Sequence, residues 1–486
     1  MTLSAIVAAH ARDAPDSAAL IGSADSLSWR DYHDRADVLA AELVRLYPER
    51  GTRLAVQMPD GPEVHLLYLA AERAGLVVVG IGPRAGAREV DHLVAATGAV
   101  DLLNALPLIA VDAHPLDPDR AFTAEELWFL NSTSGTTGLP KIVMHHQARW
   151  FAFHELAVAT GALTSSDVFM SVLPAPFGFG LWTAHFTPTI LGAPCVLLDR
   201  FTPEATLAAI ATHRVTVLAA VSTQFMMMLN SSEIAAHDLS SLRVLYTGGE
   251  MVPYARAAEF EDRTGARVLQ FYGSNETGAL SATNLDDDRD TRLRTGGHII
   301  PSMHVCLLDP DMGTDITAGG GPGVAACRGA LNCLGYYEDD AANAELFTAD
   351  GWMRTGDLCT VDASGVLTVA GRTSDFIIRG GKNISAAQVE AEVAGHPSVA
   401  LCAAVAMPDA VFGERVCVYI VLRGGGRALD LDALREYLAA RGVGKELWPE
   451  HLVIVAGDLP RASGGKVAKA ALRADAAAIS TSTPGA

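Results

Sequence analysis

The run Gly75-Leu76-Val77-Val78-Val79-Gly80-Ile81 has no polar side chain, so as a strand it must be covered on both faces. It follows Glu63 to Ala74, which reads as a helix, and the same unit recurs along the chain. Tyr32 to Leu46 is Ala- and Leu-rich with charges between, as in an amphipathic helix. Thr52-Arg53-Leu54-Ala55-Val56-Gln57-Met58 reads as a strand and Pro59-Asp60-Gly61-Pro62 as a turn. Val168 to Pro174, Gly192 to Leu198, Val215 to Ala220 and Leu242 to Tyr246 are further apolar strands. This alternation predicts α/β units built around largely parallel sheets. From Gly297 onward the pattern changes to short strands between Gly/Pro turns, including Val305 to Leu308, Met353 to Asp357 and Val366 to Val369. A distorted barrel or small antiparallel sheet is expected there.

The polar stretch Gly371-Arg372-Thr373-Ser374-Asp375 marks a boundary, after which a compact alternation begins again. Val389 to Ala394 and Leu431 to Ala440 read as helices, Val399 to Val405 and Arg415 to Leu422 as strands. Residues 478 to 486 look like a frayed tail.

Ser132-Thr133-Ser134-Gly135-Thr136-Thr137-Gly138-Leu139-Pro140-Lys141 follows the apolar run Leu127 to Leu130. Backbone N–H groups in such a loop can cradle anionic oxygens, hydroxyls add donors and Lys141 adds a point charge. A plain surface turn has the same composition. The loop is not a Walker A motif, because Pro140 precedes Lys141 and Ile142 follows it.

At 486 residues the chain can bury more than one core, and 50% apolar with 19% charged residues is a globular profile. A net charge of −20 argues against a nucleic-acid surface. The seven cysteines show no pairing pattern and no Cys-x-x-Cys spacing, which fits a reducing cytoplasm. Neither an export leader nor a membrane span is expected. The acidic run Asp286 to Asp290 reads as solvated surface, and Met226-Met227-Met228 as core filling.

Ser134 to Lys141 resembles the phosphate-binding signature of the adenylate-forming superfamily, which holds acyl-CoA synthetases, stand-alone adenylation domains and firefly luciferase. Three later motifs extend the resemblance over about residues 10 to 475. It implies an α/β N-terminal region, residues 1–373, of two α/β sheets plus a distorted β-barrel. A small mobile C-terminal α+β domain, residues 374–480, and a disordered tail, 481–486, would follow. Thr133, Ser134, Gly135, Thr136 and Gly138 would then surround the ATP phosphates, with Thr137 and Lys141 acting on them. Tyr272-Gly273-Ser274-Asn275-Glu276 comes just after Ala266 to Phe271, an apolar-rich strand candidate, and its Glu276 matches a Mg²⁺-holding glutamate. Asn275 stands where relatives carry a threonine that touches the α-phosphate. Asp357 would bind the ribose hydroxyls with help from Arg372, and Ser374-Asp375 would form the hinge. Lys466, in Gly464-Gly465-Lys466, matches a lysine that stabilises charge during adenylation. Gly381 matches a position where a side chain would block a thiol tunnel.

The acid pocket is expected around Phe177, Phe179 and Gly180, with Ser222 and Gly248 adding to its wall and Gly249 and Glu250 lying beside the nucleotide. Phe177 replaces a frequent histidine, which removes an acid–base role there, and no carboxylate near Phe179-Gly180 awaits an α-ammonium. His145 and His146 lack a third ligand at a zinc spacing. The implied activity is ATP-dependent carboxylic acid adenylation with pyrophosphate release, then acyl transfer to coenzyme A. The alternative is delivery to a carrier protein or another nucleophile. ATP, Mg²⁺ and coenzyme A are the implied cofactors, and a small carboxylic acid, aromatic or compact and hydrophobic, is the implied substrate. A homodimer is compatible with all of this.

Overall fold

The computed structural model describes residues 2–110, 116–133, 140–250, 252–319, 321–372, 375–380, 382–424, 429–461 and 467–482. Local chemistry sets the first elements. The helix Trp29–Leu46 opens with a capping box, in which the Ser28 hydroxyl accepts from the Asp31 N–H and the Asp31 carboxylate accepts from the Ser28 N–H. The helix Pro62–Ala74 starts on proline and stops at Gly75, whose φ of +66° suits a residue without Cβ. A Cβ on Gly75 would also sit 2.3 Å from the Arg120 carbonyl oxygen.

The apolar run then enters the strand Val77–Gly80, buried throughout, near the middle of a five-stranded sheet. Its order is Asp101–Leu103, Arg53–Val56, Val77–Gly80, Leu127–Ser132, Ile142–His146. The first four are parallel and the last pairs antiparallel with Leu127–Ser132. A 13-stranded sheet forms the other half of the N-terminal region. In its parallel part Arg267–Ser274, Val244–Gly248, Val217–Ala219, Phe169–Ser171, Cys195–Val196 and Ala18–Ile21 lie side by side. Arg267–Ser274 then pairs antiparallel with Gly278–Ala282, and the ladder continues through Gly297–Ile299, Val366–Arg372, Met353–Val361, Gly323–Gly329 and Met303–Leu308. The barrel-like region is thus hydrogen-bonded to the α/β region through one shared strand.

That strand also corrects an expectation. Tyr272, Gly273 and Ser274 had read as lying just beyond a strand, but they are its last residues. Gly273 allows this, since a Cβ there would fall 1.7 Å from the Gly278 carbonyl oxygen of the partner strand.

The C-terminal part has its own sheet: Lys382–Ser385, Phe376–Arg379, Gly413–Leu422 and Val399–Asp409, with His451–Ile454 parallel to Gly413–Leu422. Strand alternation splits the apolar residues of Val399–Asp409. Leu401, Ala403, Val405 and Met407 join the cluster that holds Phe225, Met226 and Leu229 of the N-terminal region, while Ala404 faces the C-terminal core. Met226 and Met228 are buried, as core filling requires. The last helix, Lys469–Ser482, takes in residues 478–482 of the stretch expected as a frayed tail, two of them within the 481–486 expected as disordered, and residues 483–486 lie outside the described ones. No helix among the described residues is long and apolar enough to cross a membrane.

Candidate active site

The strand Leu127–Ser132 carries the chain into the Ser/Thr/Gly loop, and Ile142–His146 carries it out. The Thr133 N–H donates to the Lys141 carbonyl at 2.9 Å and closes the loop at its base. The calls on Ser134, Gly135, Thr136, Thr137 and Gly138 lie outside the described residues, as do those on Ser374, Gly381 and Lys466. Arg461 and Val467 pair across the segment that carries Lys466. Arg379 and Lys382 pair across the turn that carries Gly381.

Lys141 leaves the loop with its ammonium 4.9 Å from the centroid of the Tyr336 ring and 3.6 Å from Glu345. The same tyrosine donates its hydroxyl to Glu276 Oε1 at 2.8 Å. Tyr336 therefore spaces the cation from the carboxylate and orients the latter, while the Glu276 carbonyl accepts from the Cys333 N–H. Sequence reading missed Tyr336, because a tyrosine after Leu334-Gly335 carries no chemistry until the fold places it beside Glu276. Glu276 Oε2 has no hydrogen bond among the described residues, so one oxygen stays available to a hard cation. No group of three or more metal-ligating side chains exists among the described residues. A single carboxylate plus substrate phosphates is how Mg²⁺ is commonly held, and Glu276 fits that mode.

Asp357, buried in the strand Met353–Val361, accepts from the Tyr272 hydroxyl and from Arg372 Nε, each at 3.0 Å. Burial, with Cys359 and Asp357 beside it, holds the Tyr272 phenol well above its ordinary range, so it remains a donor. Glu250 accepts from the Ser222 hydroxyl at 2.6 Å and from the Thr223 N–H at 3.2 Å, and so satisfies the start of the helix Ser222–Asn230. The Ser222 hydroxyl is thereby committed to Glu250 as donor. Gly249 has a φ of +80°. At Gly248 a Cβ would meet the Phe271 carbonyl oxygen at 2.5 Å.

Around the expected acid pocket, Phe177 precedes a short helical turn, Gly178–Gly180, continued by a π-helical turn, Leu181–Phe186. Phe179 stacks on Trp182 with centroids 5.4 Å apart, and Trp182 meets Phe271 edge-on at 4.6 Å. Tyr246 completes the aromatic group, 5.1 Å from Phe271. Trp182, Tyr246 and Phe271 come from three elements, and nothing in their local sequence announced their meeting. The glycines here are points of close approach. A Cβ at Gly180 would lie 2.2 Å from the Pro174 carbonyl oxygen, and one at Gly178 would lie 2.9 Å from Asn275 Oδ1. The Ala175 N–H donates to Asp60 at 2.7 Å, and burial pushes that carboxyl up to about 7.

Asn275 is held from behind. Its Nδ2 donates to Asn131 Oδ1 at 2.6 Å, and Asn131 Nδ2 returns a bond to Asn275 Oδ1 at 3.3 Å. Asn131 Nδ2 also donates to the Pro176 carbonyl at 2.9 Å. Behind Asn131, His145 lies 2.8 Å from Oδ1, and Arg149 Nη1 lies 2.6 Å from His145 Nδ1 and 3.1 Å from the Asn275 carbonyl. Burial, reinforced by Arg149 and His146, holds His145 well below the usual imidazole range. Burial also lowers the Arg149 guanidinium to about 10.

The acidic run serves local structure. Asp287 accepts from the Asn284 N–H and contacts His298, Asp288 caps the helix Arg289–Arg294, and Asp290 accepts from the Tyr254 hydroxyl.

The strand leading into the Ser/Thr/Gly stretch, a tyrosine-oriented carboxylate and a buried Asp357 paired with Arg372 fit a nucleotide-using enzyme of the α/β class. The AMP-binding enzyme family model matches residues 7–337, and the AMP-binding enzyme C-terminal domain matches residues 388–466. The chain belongs to this adenylate-forming family and is an enzyme that activates a carboxylic acid with ATP as an acyl-adenylate. It is 32% identical to the medium-chain fatty-acid–CoA ligase of Escherichia coli K12, over 96% of this chain and 88% of that protein. It is also 32% identical to a salicylyl-CoA synthase / salicylate adenylyltransferase of a Streptomyces species, over 94% and 90%. Its fold matches the crystal structure of the anthranilate CoA ligase AuaEII in complex with anthranoyl-AMP, with a TM-score of 0.89 at 22% identity, covering 99% of this chain and 98% of that one.

Proposed function

We propose that the enzyme adenylates a compact hydrophobic carboxylic acid, aromatic acids foremost, and passes the acyl group to the thiol of coenzyme A. The observation that carries this reading is the reach of one segment, Tyr272 to Glu276. Tyr272 bonds Asp357, Asn275 bonds Asn131 on the strand feeding the phosphate-type loop, and Glu276 takes the Tyr336 hydroxyl beneath Lys141. Ribose, phosphate and acid subsites thereby share one rigid support.

In this reading Asp357 accepts from the ribose hydroxyls while Arg372 and Tyr272 hold it in place. The loop residues Thr133 to Gly138, with Lys141, surround the β- and γ-phosphates, and the Asn275 carboxamide meets the α-phosphate. A substrate carboxylate oxygen attacks the α-phosphorus, the bond to the pyrophosphate oxygen breaks, and acyl-AMP remains. Glu276 is the residue to hold Mg²⁺, which when bound neutralises charge on the departing pyrophosphate. Lys466 opposes the charge that builds on the pentacoordinate phosphorus. The hinge at Ser374-Asp375 then turns the C-terminal domain, residues 374–480, so that Gly381 lines the path of the incoming thiol. Thiolate attack on the acyl carbonyl releases AMP and leaves the thioester.

Aromatic acids are favoured by the uncharged aromatic group of Phe179, Trp182, Tyr246 and Phe271 packed beside the Phe177–Gly180 turn. Incubation with ATP, Mg²⁺, coenzyme A and a panel of benzoates, cinnamates, fatty acids and amino acids, followed by mass spectrometry, tests the reading. An aryl- or compact acyl-CoA is expected. Acyl-AMP that persists in the presence of coenzyme A would move the acceptor to a carrier protein or another nucleophile, and a preference for palmitate or for an α-amino acid would overturn the acid class.

A further inference from the structure

The hydrogen bonds behind Asn275 have a direction that chemistry fixes. A guanidinium only donates, so His145 Nδ1 must accept from Arg149. The neutral imidazole then carries its proton on Nε2 and donates to Asn131 Oδ1. That oxygen marks the acceptor end of Asn131, and the Asn131 NH₂ uses its two hydrogens on the Pro176 carbonyl and Asn275 Oδ1. Asn275 in turn gives one N–H to Asn131 Oδ1. All the donors of Asn131 are spent, and one N–H of Asn275 remains.

A purely structural core would not need this arrangement. Arg149 is 1% exposed, has no carboxylate within ion-pair distance among the described residues, and leaves Nε without a protein partner. Its support is the Asn275 carbonyl, the His145 imidazole, the Trp150 and Phe153 rings at 4.9 and 6.0 Å, and the charge of Glu276 beyond ion-pair distance. Burying a cation on such terms costs stability that apolar residues of similar volume would not. Gly178 fits the same scheme, since only a residue without Cβ leaves space for Asn275 Oδ1 at that distance.

We propose that Arg149, His145 and Asn131 are positioning residues: a buried relay that locks the Asn275 carboxamide with one N–H presented to the α-phosphate, and ties that donor through Asn131 to the Pro176 carbonyl at the acid pocket. The proposal rests on the reading that Asn275 meets the α-phosphate. The relay lets an asparagine do the work of the shorter threonine found in relatives, by removing the rotational freedom a carboxamide would otherwise have. It also couples the two reacting partners, because the residue that orients the phosphate donor also fixes the start of the Phe177–Gly180 turn.

A mutant cycle on the full chain tests this by acid-dependent pyrophosphate release, read as kcat and KM for ATP. His145→Leu and Asn131→Ala should each lower kcat/KM on the order of ten- to hundredfold, the scale of a misplaced reacting group. His145→Gln, which can accept at one end and donate at the other, should stay within a few-fold of the parent. In an Asn275→Ala background His145→Leu should add less than about threefold, since the donor it positions is gone, and Asn131→Ala should keep only the smaller part of its penalty that comes through the Pro176 carbonyl. A penalty that persists in full in that background overturns the relay, as does His145→Gln behaving like His145→Leu. If His145→Leu does not fold, the Asn131→Ala cycle decides alone. Parent-like activity of Asn275→Ala would instead overturn the underlying reading of Asn275, a result distinct from failure of the relay.

Discussion

Asp357 receives two donors in a buried setting, and its charge is what both donors need. Asp357→Asn keeps the shape but cannot accept equally from Tyr272 and Arg372, so one of the two bonds is lost or reversed. A charge-assisted bond of this kind is worth roughly 1.5–3 kcal/mol. The expected outcome is a KM for ATP raised on the order of ten- to hundredfold with kcat less affected, measured by steady-state pyrophosphate release. An unchanged KM would show that Asp357 serves only the strand it stands on. This residue was legible in the sequence because Thr355-Gly356-Asp357 is a motif. Tyr336, Trp182 and Asn131 were not, because each takes its role from a partner far away in the chain. Ser222, expected in the acid pocket, donates its hydroxyl to Glu250, and Gly180, expected there too, lies close to the Pro174 carbonyl.

The turn from Phe177 through the π-helical Leu181–Phe186 is the element on which the proposed acid pocket depends. Its two glycines have different neighbours, so the same substitution should give different results. Gly180→Ala drives a Cβ onto backbone, the Pro174 carbonyl at 2.2 Å, and should cost about 1–3 kcal/mol of stability, read as a lower midpoint in denaturant. Gly178→Ala meets the Asn275 carboxamide at 2.9 Å and the Trp150 ring at 3.3 Å, both side chains. It should leave the midpoint closer to the parent's and fall mainly on kcat. Equal loss of stability with no selective loss of activity would contradict the close packing of Gly178 on Asn275. The elements themselves were readable from apolar runs and turn residues: Leu431–Ala440 matches its expected bounds, and Val77–Gly80 sits inside its predicted run. Strand ends were less readable, as at Ser274, where pairing with Gly278–Ala282 extends the strand past its apolar run.

At the scale of the whole molecule, the N-terminal sheets bring Thr133 and Lys141, the segment Tyr272 to Glu276 and the Asp357–Arg372 pair together, while the C-terminal domain carries Lys466. The domains meet through the apolar face of Val399–Asp409 and through few polar contacts, among them Asn230 to the Ala400 carbonyl and Arg423 with Glu259 at 3.7 Å. Asp375 pairs with Arg473 of the last helix. The α/β alternation and the ordered motifs were visible in the sequence. The continuity of the barrel-like strands with the parallel sheet was not, since strand order depends on pairings that no local pattern encodes. The central claim is that these parts act together to adenylate a carboxylic acid, and acid-dependent exchange of labelled pyrophosphate into ATP measures that step alone. Exchange is expected with benzoate- or cinnamate-type acids, reduced about 10²–10³-fold in Lys466→Ala, in which the acid still binds. Absence of exchange with every carboxylic acid tried, or exchange at the parent rate in Lys466→Ala, would contradict it.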